Sequence, residues 1–185
     1  MINQNELERC NSKLFVYDVS QRGWEQEPNG FEANIRHTLT HLAKDAFRKN
    51  FGDASLVQDA IAPDNLMYAL RIARWGNVLP KQIVASDTSA QIATSKKLEY
   101  FNSLPESLGT HLTAIDAVAD LIHEEDHTSS NQEALANRFN KVLYASRLLI
   151  MSVNQQIEQF DFNIEDSLDS RLFELRTRFK IPQPE

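Results

Sequence analysis

A helix pair occurs twice in this chain with the same layout, over residues 34–77 and 111–157, and this repeat restricts the fold more than any other feature. In each copy an amphipathic segment is followed by a polar break and then by a longer, more apolar segment. From Asn34 the apolar residues Ile35, Leu39, Leu42, Ala43, Ala46 and Phe47 recur with the helical period, and Arg36, His37, His41, Lys44 and Arg48 fall opposite them. Asn50-Phe51-Gly52 ends this helix, since glycine accepts the left-handed backbone of a C-terminal cap. The next helix starts after Asp53 or Ser55, with Pro63 at its first helical position or at a kink. Leu66, Met67, Ala69, Leu70, Ile72 and Ala73 surround it almost completely, which marks it as buried, and Gly76-Asn77 stops it.

The second copy begins with a helix expected over 111–127, which places Leu112, Ile115, Val118, Ala119 and Ile122 together before Thr128-Ser129-Ser130-Asn131 breaks it. Ser130 and Glu133 have the spacing of a capping box for the following helix. That helix runs to about Ile157 with Leu135, Phe139, Val142, Leu143, Leu149, Ile150 and Val153 inward. Asn163 caps a last helix striped with Leu168, Leu172, Leu175 and Phe179, and its Arg176, Arg178 and Lys180 complement the negative end of the helix dipole.

Elsewhere the pattern is weaker. Residues 1–33 read as an irregular N-terminal arm, in which Leu14-Phe15-Val16-Tyr17 forms a packed segment or a short strand. Lys81 to Ala85 reads as a short turn and Ser89 to Phe101 as a third helix, and Pro105 and Gly109 mark a seam between halves. The expectation is an all-α bundle of two related helix pairs, with halves 34–105 and 106–185, in one compact domain.

Composition narrows the function classes. The chain has 185 residues, enough for a sizeable core, and a formal charge of −7, which disfavours nucleic acid as a partner. The apolar run Leu148 to Val153 is far short of the ~20 residues of a membrane span. The single Cys10 cannot close an internal disulfide and has no histidine spaced to activate it, so it reads as an incidental thiol. The N-terminus has neither a basic start nor an apolar signal core, and the protein is expected in the cytoplasm, without membrane contact. Trp24 and Trp75 read as core or interface aromatics.

Two side-chain stripes carry the candidate chemistry. His37, His41, Lys44 and Arg48 fall at i, i+4, i+7 and i+11 on one face, where converging donors would hold an anion such as phosphate. A solvated face opposite an apolar one has the same pattern. Asp116, Asp120, His123 and His127 repeat the spacing and offer carboxylate and imidazole to a metal. They span ~16 Å along one helix, so an ion touches at most an adjacent two and needs a partner helix, with His37 and His41 the obvious donors. Histidines at a helix C-terminus also simply complement its dipole. The run His123-Glu124-Glu125-Asp126-His127 abuts a loop and lacks the spacing of a zinc-protease helix.

Leu39-Thr40-His41-Leu42-Ala43-Lys44-Asp45-Ala46-Phe47 followed by Ile61-Ala62-Pro63-Asp64-Asn65-Leu66-Met67-Tyr68-Ala69-Leu70 resembles the helix pair of the MazG-like all-α nucleoside triphosphate pyrophosphohydrolases. Asp116-Ala117-Val118-Ala119-Asp120-Leu121 with Glu133-Ala134-Leu135-Ala136-Asn137 is similar to it again, and the last helix is similar to the closing helix of many members. The resemblance implies a tandem pseudo-dimer and a four-carboxylate Mg²⁺ site facing a nucleotide. His41 and Lys44 then stand at two of the acidic positions, Ile61 at the third, and Asp64 alone is retained. In the second copy Ala117, Asp120, Ala134 and Asn137 stand there, with Asp116 and Glu133 one position away. Hard cations need oxygen ligands, so the first site is expected to be dead for magnesium.

The leading expectation is therefore a MazG-like protein with a degenerate metal site, binding a nucleotide or another anionic small molecule, or regulating, without catalysis and without a cofactor. The candidate ligand residues are His37, His41, Lys44, Arg48 and Asp64, and the candidate metal residues are Asp116, Asp120, His123 and Glu133. Two alternatives stand beside it. One is an active nucleotide pyrophosphohydrolase using Mg²⁺ with Asp64, Asp116, Asp120 and Glu133; the other is a helical protein–protein interaction module, and a homo-oligomer fits each reading.

Overall fold

A computed structural model of the chain describes residues 1–20, 30–51, 54–84, 106–122 and 132–181. Their regular structure is entirely helical, as the periodicity requires: α1 (Gln4–Ser20), α2 (Gly30–Phe51), α3 (Ala54–Leu56), a π turn (Val57–Ile61), α4 (Ala62–Trp75), α5 (Pro80–Val84), α6 (Glu106–Ala119), α7 (Gln132–Phe160) and α8 (Ile164–Phe179). No helix among the described residues is long and apolar enough to cross a membrane.

The centre of the bundle is α4, buried from Ala62 to Ala73 on all sides, as its nearly complete apolar surround predicts, with Asp64, Asn65 and Arg71 buried among the apolar residues. α4 and α6 both pack chiefly on α7, while α2 leans chiefly on α6 and touches α4 much less. α8 closes the open flank of α4 and the π turn, and α1 lies across α5, α8 and the start of the bundle. Gly76 lets α4 meet α7, because a Cβ built there would fall well inside contact distance of Val142 Cγ1. Asn77 then turns the chain with φ 59°, a left-handed conformation that asparagine tolerates. Below it, Arg147 of α7 donates from Nε to the Ile83 carbonyl at 3.1 Å, satisfying the C-terminal end of α5.

Several expectations need correction. The supposed irregular arm contains α1, whose Leu7, Cys10, Leu14 and Tyr17 enter the core, so Leu14–Tyr17 is a packed segment as one alternative had it, but helical and not a strand. The polar side chains on that helix hid its apolar stripe at spacings of three and four. The inward face of α2 is also rotated from the expected one: Ile35, Thr38, Leu42, Asp45 and Ala46 are buried, while Phe47 is 69 % exposed. Gly109 is no seam, because it lies buried inside α6. α6 ends at Ala119 rather than 127, and its most buried residues include His111, Thr113, Ala114 and Val118, with Leu112 and Ile115 only partly covered. On α7, Leu135 is exposed, and on α8 so is Phe179. The expected third helix over 89–101, the Gly52 cap, Pro105, the Ser130 capping residue and Trp24 lie outside the described residues.

Two local devices are as expected. Asn163 caps α8, its Oδ1 accepting from the backbone N–H groups of Glu165 at 2.9 Å and Asp166 at 3.2 Å. Pro63 sits in the first turn of α4, directly after the π turn. A proline ring clashes with the carbonyl four residues back in an ordinary helix, and the wider i to i−5 turn, with Ala62 N–H donating to the Val57 carbonyl, relieves that clash without breaking the helix.

Candidate functional site

Where α2, the π turn, α4 and α8 meet, they leave a cavity of about 800 Å³. His37, His41, Lys44, Arg48 and Asp64 all line it. The cationic stripe of α2 is therefore not a uniformly solvated face, since one edge of it turns toward the cavity. His41 is half-buried and packs 4.6 Å from the His37 ring centroid and 5.7 Å from that of Tyr68 on α4. Burial lowers the His41 pKa below the usual imidazole value, with His37, Lys44 and Arg48 adding to the effect and Asp64 opposing it, so the neutral ring is favoured.

Asp64 is already engaged. Arg171 of α8 grips Asp64 through two parallel hydrogen bonds, Nε to Oδ1 at 2.8 Å and Nη2 to Oδ2 at 2.7 Å. Its third nitrogen donates to Glu174 at 2.6 Å. Burial alone would lower the Arg171 pKa, but the hydrogen bonds and charge of Asp64, and then those of Glu174, hold it above the ordinary guanidinium value. Arg71 on the cavity floor is tied to Asp18 of α1, with Nε 3.2 Å from both carboxylate oxygens, and Arg74 reaches the same acid at 3.1 Å. Tyr17 packs beside this pair, where burial pushes its phenol up to about 12.

Asp45, Tyr68 and Arg171 are among the residues here that escaped the reading of the sequence, with Tyr17, Asp59, Arg71 and Glu174. Asp45 is 2 % exposed, its Oδ2 has no partner among the described residues, and its Oδ1 lies 3.8 Å from Arg48 Nη1, beyond hydrogen-bond range. Burial pushes its carboxyl up to about 7, Asp64 adds to that shift, and Arg48, Arg171 and Lys44 pull against it. The signal in the sequence was the stripe Ile35, Thr38, Leu42, Asp45 and Ala46, in which an acid occupies a core position. Arg171 carries no such signal, because its partner lies 107 residues away in sequence.

At the positions that the resemblance implies, the side chains do not suit a divalent cation. Both oxygens of Asp64 are committed to Arg171, Ile61 is apolar and fully buried, and Lys44 brings positive charge where an acid would be needed. In the second half, Asp116 lies partly buried on α6, Asp120 stands exposed in the turn after it, and Glu133 is exposed in the first turn of α7. Among the described residues no group of three or more His, Cys, Asp or Glu could hold a metal ion. His123 and His127 lie outside the described residues.

What remains is a helical bundle with an amphipathic cavity. Its lining joins the cations Lys44, Arg48 and Arg178 and the acids Asp45, Asp59 and Glu174 to the apolar Leu56, Met67, Leu175, Phe179 and Ile181, and among the described residues it contains no serine, threonine or cysteine to serve as a nucleophile. Comparison of the chain with family models, curated proteins and solved structures returns no match.

Proposed function

We propose that this chain is a non-catalytic binding protein for an anionic small molecule, a nucleotide being the occupant that suits it best, with the fold of a MazG-like protein whose metal site has degenerated. One observation carries the reading: Lys44 and Arg48 of α2 and Arg178 of α8 border the same cavity, where two of the four lining carboxylates, Asp64 and Glu174, are bound by Arg171, in a chain whose formal charge is −7. Like charges brought together against the overall sign of the molecule favour an anion that neutralises them. The planar faces of His41 and Tyr68 and the apolar side of the cavity favour a ligand that joins an aromatic or apolar body to its anionic group. The commitment of Asp64 to Arg171 supports binding without Mg²⁺-dependent cleavage, and no cofactor is required by this reading. The tandem relation of the two halves, a cytoplasmic location and self-association belong to the same proposal.

Titration calorimetry with nucleoside triphosphates in a metal-free buffer tests it. Wild-type protein is expected to bind, and Lys44→Glu with Arg48→Glu to weaken binding at least about tenfold while the thermal midpoint stays nearly unchanged. Absence of binding to any nucleotide, or pyrophosphate release once Mg²⁺ is added, would overturn it.

A further inference from the structure

Resting on the reading of the cavity as an anion site, we propose that Asp45 enters the complex as the neutral acid and donates its O–H to an oxygen of the bound anion, so that the site takes up its anion together with a proton from solvent. Asp45 lines the cavity at 2 % exposure, and its Oδ2 has no hydrogen-bond partner among the described residues. A buried polar atom without a partner is costly, and a ligand can supply what the protein does not.

The surroundings decide what that ligand group is. From α2, His37, His41, Lys44 and Arg48 line the cavity with Asp45, and from the π turn Asp59 does. From α4, Asp64, Tyr68 and Arg71 line it too; from α8, so do Arg171, already bound to Asp64 and Glu174, and Glu174 and Arg178. On the other side of α2, His111 of α6 is turned to the Leu42 carbonyl, 3.0 Å from its Nε2. A cationic ligand group aimed at Asp45 would have to enter among Lys44, Arg48 and Arg171. An anion is drawn there by the same side chains, but it is repelled by Asp45 as a carboxylate. Protonation removes that repulsion and converts an acceptor into a donor. Burial and the charge of Asp64 hold the Asp45 carboxyl at about 7, so the proton is acquired at little cost near neutral pH.

The test uses trimetaphosphate, whose own charge is constant near neutrality, with the full-length protein. Affinity is expected to fall by up to about tenfold per pH unit above about pH 7, with close to one proton taken up per anion when heats are compared in buffers of different ionisation enthalpy. Asp45→Asn keeps a donor that does not titrate. It is expected to bind at about pH 8 as tightly as wild type does at about pH 6, and without proton uptake. His41→Gln is expected to retain the pH slope. A flat wild-type profile, a slope that survives in Asp45→Asn, or weaker binding by Asp45→Asn at every pH would each overturn the proposal while leaving anion binding intact. Failure of wild type to bind at any pH would instead remove the anion site itself, and the proposal with it.

Discussion

Among single residues, Asp45 and Arg171 set opposite demands on the same cavity. The Asp45 carboxyl is raised from 3.8 to about 7, so the folded state holds its proton over a range in which the unfolded chain has lost it. Stability from this group is fully present below about pH 4 and is lost as pH rises through about 7. Asp45→Asn removes the cost of charging the buried carboxyl. It is expected to match wild type in urea unfolding at about pH 4 and to exceed it by about 2–4 kcal/mol at about pH 8. Parallel stability curves for the two proteins would contradict the assignment. Arg171→Leu does the reverse, leaving Asp64 buried without that guanidinium, at an expected cost of about 2–4 kcal/mol. Adding Asp64→Asn should recover part of that loss, and a double-mutant cycle in urea measures the coupling.

Helix by helix, what could be read in the sequence depended on whether a local rule or a distant contact decided the outcome. The cap at Asn163 is local: one side chain satisfies two backbone donors within three residues, and Asn163→Ala is expected to lower stability by about 1 kcal/mol in urea unfolding. The burial of α4 was evident from its apolar surround over Leu66 to Ala73, although the polar face of Asp64 and Arg71 that meets the cavity was not. The facing of α2 was not, since Ala43 and Phe47 satisfy the helical period as well as Thr38 and Asp45 do, and only contact with α6 and α4 selects between them. The five α2 and α4 candidates gathered in one cavity could be picked out from charge and spacing, whereas Arg171 depended on how α8 packs. Gly76 reads as a helix stop, but its tight approach to Val142 is a tertiary fact. Gly76→Ala is expected to destabilise by about 1–3 kcal/mol, and Val142→Ala in the same chain should offset part of this, as thermal unfolding of the single and double variants would show.

Across the bundle, α1 is held in place by two ion-pair systems of different character. Asp18 is buried and binds both Arg71 and Arg74 of α4, while Arg9 and Lys13 meet Glu165 and Asp169 of α8 at the surface. Exposed pairs lose much of their attraction to solvent and salt, whereas a buried cation deprived of its carboxylate retains its full desolvation cost. Asp18→Ala takes that carboxylate from Arg71, whose side chain is 5 % exposed, and is expected to cost about 3–5 kcal/mol with little change on adding salt. Glu165→Gln should shift the urea midpoint only slightly, and less still at high ionic strength. Because Arg71 also lines the cavity, loss of Asp18 removes the carboxylate that neutralises it and should tighten anion binding, while Glu165→Gln should leave binding as it is. If both variants lost the same stability and both left binding unchanged, α1 would be a surface attachment rather than part of the frame that positions the cavity.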